Sequence, residues 1–232
     1  MKRTIYLLAA SVLLLLSCGN RPAGPSAEET RQLESFTGIG VSVSANITYT
    51  PGPIHEISIE GEEQDVKELV TRVENGYLKI RYTRNRIQRS RLTIHITSEE
   101  LNRISISGSA KFKSSKALSP EEMGIAISGS GTVIFPFLEA EEVDVNISGS
   151  GSATIEKGSA EELDLKISGS GKLMSEKFEV SEFSASISGS GNCRITVKDE
   201  LKARLSGSGN IYYRGDPRVN TTASGSGKVR AL

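Results

Sequence analysis

The sequence predicts an all-β fold: a parallel β-solenoid of about 20-residue Ser-Gly coils, preceded by a strand region with one short helix. Three observations carry this. A phrase of the form Ile-Ser-Gly-Ser-Gly recurs seven times, at 106–110, 127–131, 147–151, 167–171, 187–191, 205–209 and 223–227, at intervals of 21, 20, 20, 20, 18 and 18 residues. Apolar and polar residues alternate on both sides of it, as in Val143, Val145, Ile147 and then Ala153, Ile155. The copies follow one another without hairpin turns, which favours coils stacked in parallel over antiparallel pairing.

Period two means a strand with one buried face. Leu163, Leu165, Ile167 and Leu173 repeat the pattern one unit later. Two glycines in five residues exclude a helix through the phrase. Gly149 and Gly151 share the inward phase of Ile147, and Ser148 and Ser150 the outward one. Two geometries fit. The chain bends, with glycine at positive φ, or it stays extended and glycine admits a closely approaching wall. The bend is the favoured reading. Twenty residues allow two or three strands per coil. Coils about 4.8 Å apart would give a prism on the order of 30 Å long, with an Ile/Leu ladder inside and two serine ladders outside. A propeller fits poorly, because its blades need about 40 residues each.

The 232 residues carry 28 Lys+Arg against 28 Asp+Glu, so no global field favours nucleic acid. Aromatics are 5% and Trp is absent, which suits narrow coils better than a large globular core.

Residues 1–17 read as a lipoprotein signal peptide. Lys2 and Arg3 precede an apolar run too short to span a bilayer as a helix, and Leu15-Leu16-Ser17-Cys18 has the pattern of a lipobox. Cys18 is then the lipid anchor, since several acyl chains hold a membrane stably. The alternative is an ordinary secretory signal with an incidental cysteine. Residues 18–35 follow as a tether. The chain is expected to be exported and anchored in the bacterial envelope, in the outer membrane, with its leaflet open. The absence of an acidic cluster in Gly19-Asn20-Arg21-Pro22 leans towards the periplasmic side, which sits uneasily with adhesion.

Residues 36–100 form the N-terminal part of the domain and 101–232 the repeats. Val41, Val43, Ala45, Ile47 and Tyr49 alternate, and 51–53 break the strand. Val66, Leu69, Val70 and Val73 fall on one helical face, predicting a helix over 62–73. Asn75-Gly76 is a turn before a strand over 77–82. Another strand is expected at 92–96. This region is placed to cap one end of the coils.

The repeated Ile-Ser-Gly-Ser-Gly units, the strand 41–49 and the helix-turn-strand over 65–80 resemble the head GIN domain family of auto-transporter adhesins. The resemblance covers about 36–230. It implies a right-handed parallel β-helix in a secreted or envelope protein, commonly from gut Bacteroidetes, and brings no catalytic residues with it. The chain departs from the pattern at Ala110, which replaces the last Gly of the first repeat, and in its two 18-residue intervals.

Candidate chemistry is sparse. His55 and His95 lack neighbours at metal-ligand spacing. No Gly-x-Ser-x-Gly elbow lies in a strand-turn-helix setting. Cys193 holds the position of Val133 and Leu173 in sister coils, so a small buried residue is expected there. Glu121-Glu122, Glu141-Glu142 and Glu161-Glu162 recur in register. Glu122, Glu142 and Glu162 form a candidate cation edge, against the simpler reading of a solvated edge that blunts sheet association. Arg84, Arg86, Arg89 and Arg91 crowd one loop and form a candidate site for anionic glycans or phosphorylated headgroups, against a solvated loop. No cofactor and no nucleic-acid partner are expected. The functional expectation is a lipid-anchored envelope binding module, an adhesin for a glycan or protein surface, joined to the membrane through Cys18. The alternatives are a structural, homo-oligomeric envelope protein and, behind it, a polysaccharide-active enzyme. The scarcity of aromatic platforms argues against the last.

Overall fold

The computed structural model describes residues 24–83, 88 and 90–232. In chain order the N-terminal part contains β1 (Ser26–Gln32), β2 (Gly38–Val41), β3 (Ala45–Pro51), β4 (Glu56–Glu62), α1 (Glu63–Glu68), β5 (Val70–Glu74), β6 (Tyr77–Arg81) and β7 (Leu92–Ser98). The repeats follow as β8 (Arg103–Gly108), β9 (Lys111–Ser114), β10 (Glu122–Gly129), β11 (Thr132–Phe135), β12 (Leu138–Gly149), β13 (Ser152–Ile155) and β14 (Gly158–Gly169). Longer strands then turn corners without a break: β15 (Lys172–Gly189) and β16 (Asn192–Gly207). β17 (Asn210–Arg214), β18 (Arg218–Gly225) and β19 (Lys228–Ala231) close the chain.

The repeats stack as parallel coils in register. Ile127 pairs with Ile106 and Ile147, and Ile147 with Ile167. Each coil has one long side ending in the Ser-Gly phrase, a second side after it, and a short third side where Leu138, Gly158 and Phe178 align. Inward residues from all sides meet in one core. Phe112, Phe135, Val145, Ile155, Leu173 and Phe183 are buried in it. Aromatic rings meet along the axis, with Tyr49 stacked on Phe112 at 6.1 Å and Phe112 edge-on to Phe135 at 5.9 Å between centroids. Cys193 lies in the same core, as its position predicts, and burial pushes its thiol far up from the usual value.

Both glycine geometries occur, at different glycines of one phrase. Gly149 has φ +115 and turns the corner, with Gly129 O only 2.6 Å from where a Cβ would sit. Gly151 keeps ordinary φ, but a Cβ there would collide with Ile127 Cγ2 of the preceding coil. The first glycine bends the chain and the second lets the next coil settle onto the isoleucine. The ladder continues through the corner, where the Ser150 amide donates to Gly129 O at 2.8 Å.

Coil order departs from chain order at the N-terminal end. β2 lies between β6 and β8, and β3 between β7 and β9. The first coil of the chain is therefore the second of the stack. Its corner carries Val43 in place of the first Gly, and Gln88 braces it by donating to Ser44 O and accepting from the Ser44 amide. The end is covered by antiparallel strands, β5 on β6 and then β4 on β7 with β1 on β4.

Two expectations are corrected here. The helix stops at Glu68 rather than running to Val73. Val66 and Leu69 are buried, but 70–74 pairs with β6 through the Asn75-Gly76 turn, whose φ values of 52 and 71 suit a hairpin. β-branched residues and the turn outweigh the short helical pattern. The tether expected over 18–35 does not include 26–32, which forms β1. That strand is largely polar and shows no apolar alternation. Arg31 fixes it, donating to Leu69 O at 2.7 Å, Val66 O at 3.0 Å and Thr71 Oγ1 at 3.0 Å, and so meets the carbonyls at the end of α1.

Candidate functional site

The outward face of the long side is a regular surface whose chemistry is fixed by register. Outward residues of successive coils line up in rows across the strands. One row reads Glu122, Glu142, Glu162, Glu182, Glu200 and ends on Arg218. The next reads Gly124, Asp144, Asp164, Ser184, Lys202, Asn220. The third reads Ala126, Asn146, Lys166, Ser186, Arg204, Thr222. The fourth is serine throughout, from Ser107 to Ser224.

The rows divide by charge. On the long face Glu122, Glu142, Asp144, Glu162 and Asp164 stand on the earlier strands, whereas Lys202, Arg204 and Arg218 stand with Glu200 on the last two. The overall balance of zero conceals a change from acidic to basic along this face from residue 122 onward.

In the acidic part, Glu142 is held above the ordinary carboxylate range, first by Asp144, then by lost hydration, then by Glu122, Glu162 and Asp164. Glu122, Glu142 and Glu162 do stand adjacent, as the spacing predicts, and two further glutamates extend their row. Among the described residues, no group of three His, Cys, Asp or Glu side chains could hold a metal ion. All three glutamates are exposed.

In the basic part, a depression of about 730 Å³ opens on the long face. Lys166 borders it on one side and Lys202 and Arg204 on the other. Ser184 and Ser186 of β15 form its floor, and Asp164, Asn220 and Thr222 complete the rim. It exists because the central strand carries only hydroxymethyl groups between strands carrying long cations. Lys202 is held by Glu200 at 2.7 Å, which raises the ammonium's pKa and lowers that of the carboxyl. Among the described residues, no carboxylate forms an ion pair with Lys166 or Arg204. A second hollow of about 570 Å³ lies between 99–102 and 117–122 and is edged by Glu99, Glu100, Glu121 and Glu122.

Of the arginine loop, Arg84, Arg86 and Arg89 lie outside the described residues, as does Cys18. Arg91 is exposed and donates to Ser109 O at 3.2 Å and Ala45 O at 3.4 Å, so it ties two corners together. Sequence reasoning missed the depression. Lys166, Ser184, Ser186, Lys202 and Arg204 stand one or three places before the apolar residue of their phrases, so the repeat alignment contains their adjacency. The mixed residue types at those positions hide it.

Fold and face together define a parallel β-solenoid with glycine corners and a polar, charge-graded outer surface. The chain belongs to the head GIN domain family. The family's profile, described as "Putative auto-transporter adhesin, head GIN domain", matches residues 35–217. A solved structure from Bacteroides fragilis, named a putative adhesin, superposes with TM-score 0.83 at 22% identity, over 92% of this chain and 100% of that one. A putative adhesin from Parabacteroides distasonis gives 0.75 at 22% identity, over 90% and 98%. A protein from the same species, named a putative lipid binding protein, gives 0.71 at 22% identity, over 90% and 97%. No functionally curated protein matches the sequence. These likenesses establish the fold.

Proposed function

We propose that the chain is a lipid-anchored binding module of the bacterial envelope, an adhesin that presents the side of its solenoid to a glycan or protein surface. The observation that carries the proposal is the long face. Its side chains are held in straight rows by a continuous ladder, and it contains a hollow lined by cations and hydroxyls. A rigid surface of this kind loses little conformational freedom on binding. The family's description as an adhesin agrees with it. Cys18 supplies the anchor in this proposal, and display on the cell surface is the location that adhesion requires. The test is retention of the purified chain on a panel of immobilised host and bacterial polysaccharides and matrix proteins. Saturable retention on at least one is expected, and retention on none contradicts the reading.

A second reading, self-association, has its own observation. The last coil is uncovered. Val219, Thr221 and Ala223 align with the buried Leu201, Ala203 and Leu205, yet all three are exposed, Val219 to 43%. The other end is closed by β1, β4 and β5. A second copy meeting the open end tail to tail would form a closed pair rather than a filament. Light scattering after size exclusion should then give twice the mass of the single chain at high concentration. A strict monomer rejects this reading.

A further inference from the structure

We infer that the depression between Lys166 and Arg204 is a subsite for a carboxylate-bearing sugar of an acidic polysaccharide; this rests on the binding-module reading and names its ligand class. Three independent features converge there. The first is charge. Lys166, Lys202 and Arg204 line this hollow, while the glutamates of the same strands, Glu162, Glu182 and Glu200, stand in a separate row outside the lining, so an anion is favoured in the hollow itself. The second is spacing. Lys166, Ser186 and Arg204 are consecutive in one row. The two cations therefore stand about 9.6 Å apart at the backbone, two strand separations, with a low floor between them. That gap admits a sugar ring lying on Ser184 and Ser186 with cations at both margins. The third is the mixture of groups. Arg204 offers a planar fork suited to a carboxylate and Lys166 a point charge. The hydroxyls of Ser184, Ser186 and Thr222 and the amide of Asn220 can donate to and accept from sugar hydroxyls.

Asp164 and Glu200 refine the choice. Asp164 is on the rim and Glu200 holds Lys202, so the hollow is not uniformly cationic. A ligand of moderate charge density that also presents neutral hydroxyls suits it better than a dense polyphosphate. A uronic acid chain has that character, with one carboxylate per ring and hydroxyls beside it. The contacts are polar, so binding should weaken as salt rises.

The test uses the full chain in non-ionic detergent. A fluorescent oligogalacturonate is titrated against it, with a neutral cello-oligosaccharide of equal length as control. The double variant K166Q/R204Q should lose about tenfold in affinity, equivalent to about 1.4 kcal/mol. S186F fills the hollow without changing charge and should lose as much. K172Q/K228Q removes the same charge from the second side of the coils and should change affinity less than about twofold, a screened surface effect. The altered side chains are exposed, and an unchanged unfolding midpoint shows that each variant is folded.

Uniform loss in both double variants, with S186F unaffected, overturns the subsite while leaving a binding module. So does binding of the neutral oligosaccharide or a protein in preference to the uronate. Competition by phosphatidylglycerol-doped micelles as effective as the uronate itself assigns the cations to a lipid headgroup surface and also overturns it. Failure to bind any member of the glycan and protein panel defeats the binding-module reading as well.

Discussion

Replacing Gly149 by Ala tests the corner on which every coil depends. Two costs add. The residue sits at φ +115, where an L side chain is strained by about 1–3 kcal/mol. Its Cβ would also lie 2.6 Å from Gly129 O, a backbone atom fixed by the ladder above, and such overpacking costs about 1–3 kcal/mol. Restricting the unfolded chain returns about 0.4–1 kcal/mol. The expected net loss is about 2–4 kcal/mol. In urea, with a slope of about 2–3 kcal/mol per molar, the midpoint should fall by roughly 1 M. Ser148→Ala, one residue earlier and exposed, is the matched control and should stay within about 0.5 kcal/mol. Equilibrium unfolding followed by circular dichroism measures both. If G149A matches S148A, the corner is not held at positive φ by its neighbours and the reasoning fails.

Two further outcomes follow from buried and crowded groups. Cys193 should resist thiol reagents in the folded protein at pH 8 and react only on unfolding, because burial raises its pKa and removes access. Rapid labelling of native protein would contradict that placement. Glu142 has a raised folded pKa, so below its unfolded pKa it favours folding relative to neutral pH, and that contribution is lost as pH rises through the folded pKa. Glu142→Gln should therefore raise the urea midpoint at pH 7 and leave it unchanged at pH 3. An equal shift at both pH values would show that repulsion from Asp144 and the neighbouring glutamates is not the cause.

Much of the repeat region was legible because parallel register copies one pattern into every coil. The inward isoleucines, the outward serines, the glutamate row and the burial of Cys193 all follow from aligning the phrases. What the alignment could not supply is the behaviour of segments without periodicity. Strand β1 is polar on both faces and is placed by Arg31, a contact 35 to 40 residues away in sequence. The helix was overextended because Val70 and Val73 satisfy both a helical stripe and a strand, and only the partner strand decides. The insertion of β2 and β3 between later elements is a tertiary choice with no local signal. The basic hollow was missed for another reason. Its residues differ from coil to coil, so a search for recurring motifs passes over them, and the balanced total charge hides the local convergence of Lys166, Lys202 and Arg204.

Adhesion through the long face requires that this solenoid be displayed outside the cell. The direct measurement is labelling of intact cells with an antibody raised against the folded domain, beside a periplasmic protein as control. Antibody is preferable to protease, since laddered coils offer few cleavable loops. Labelling of intact cells with the control protected is the result expected. Labelling only after the outer membrane is opened would contradict surface adhesion.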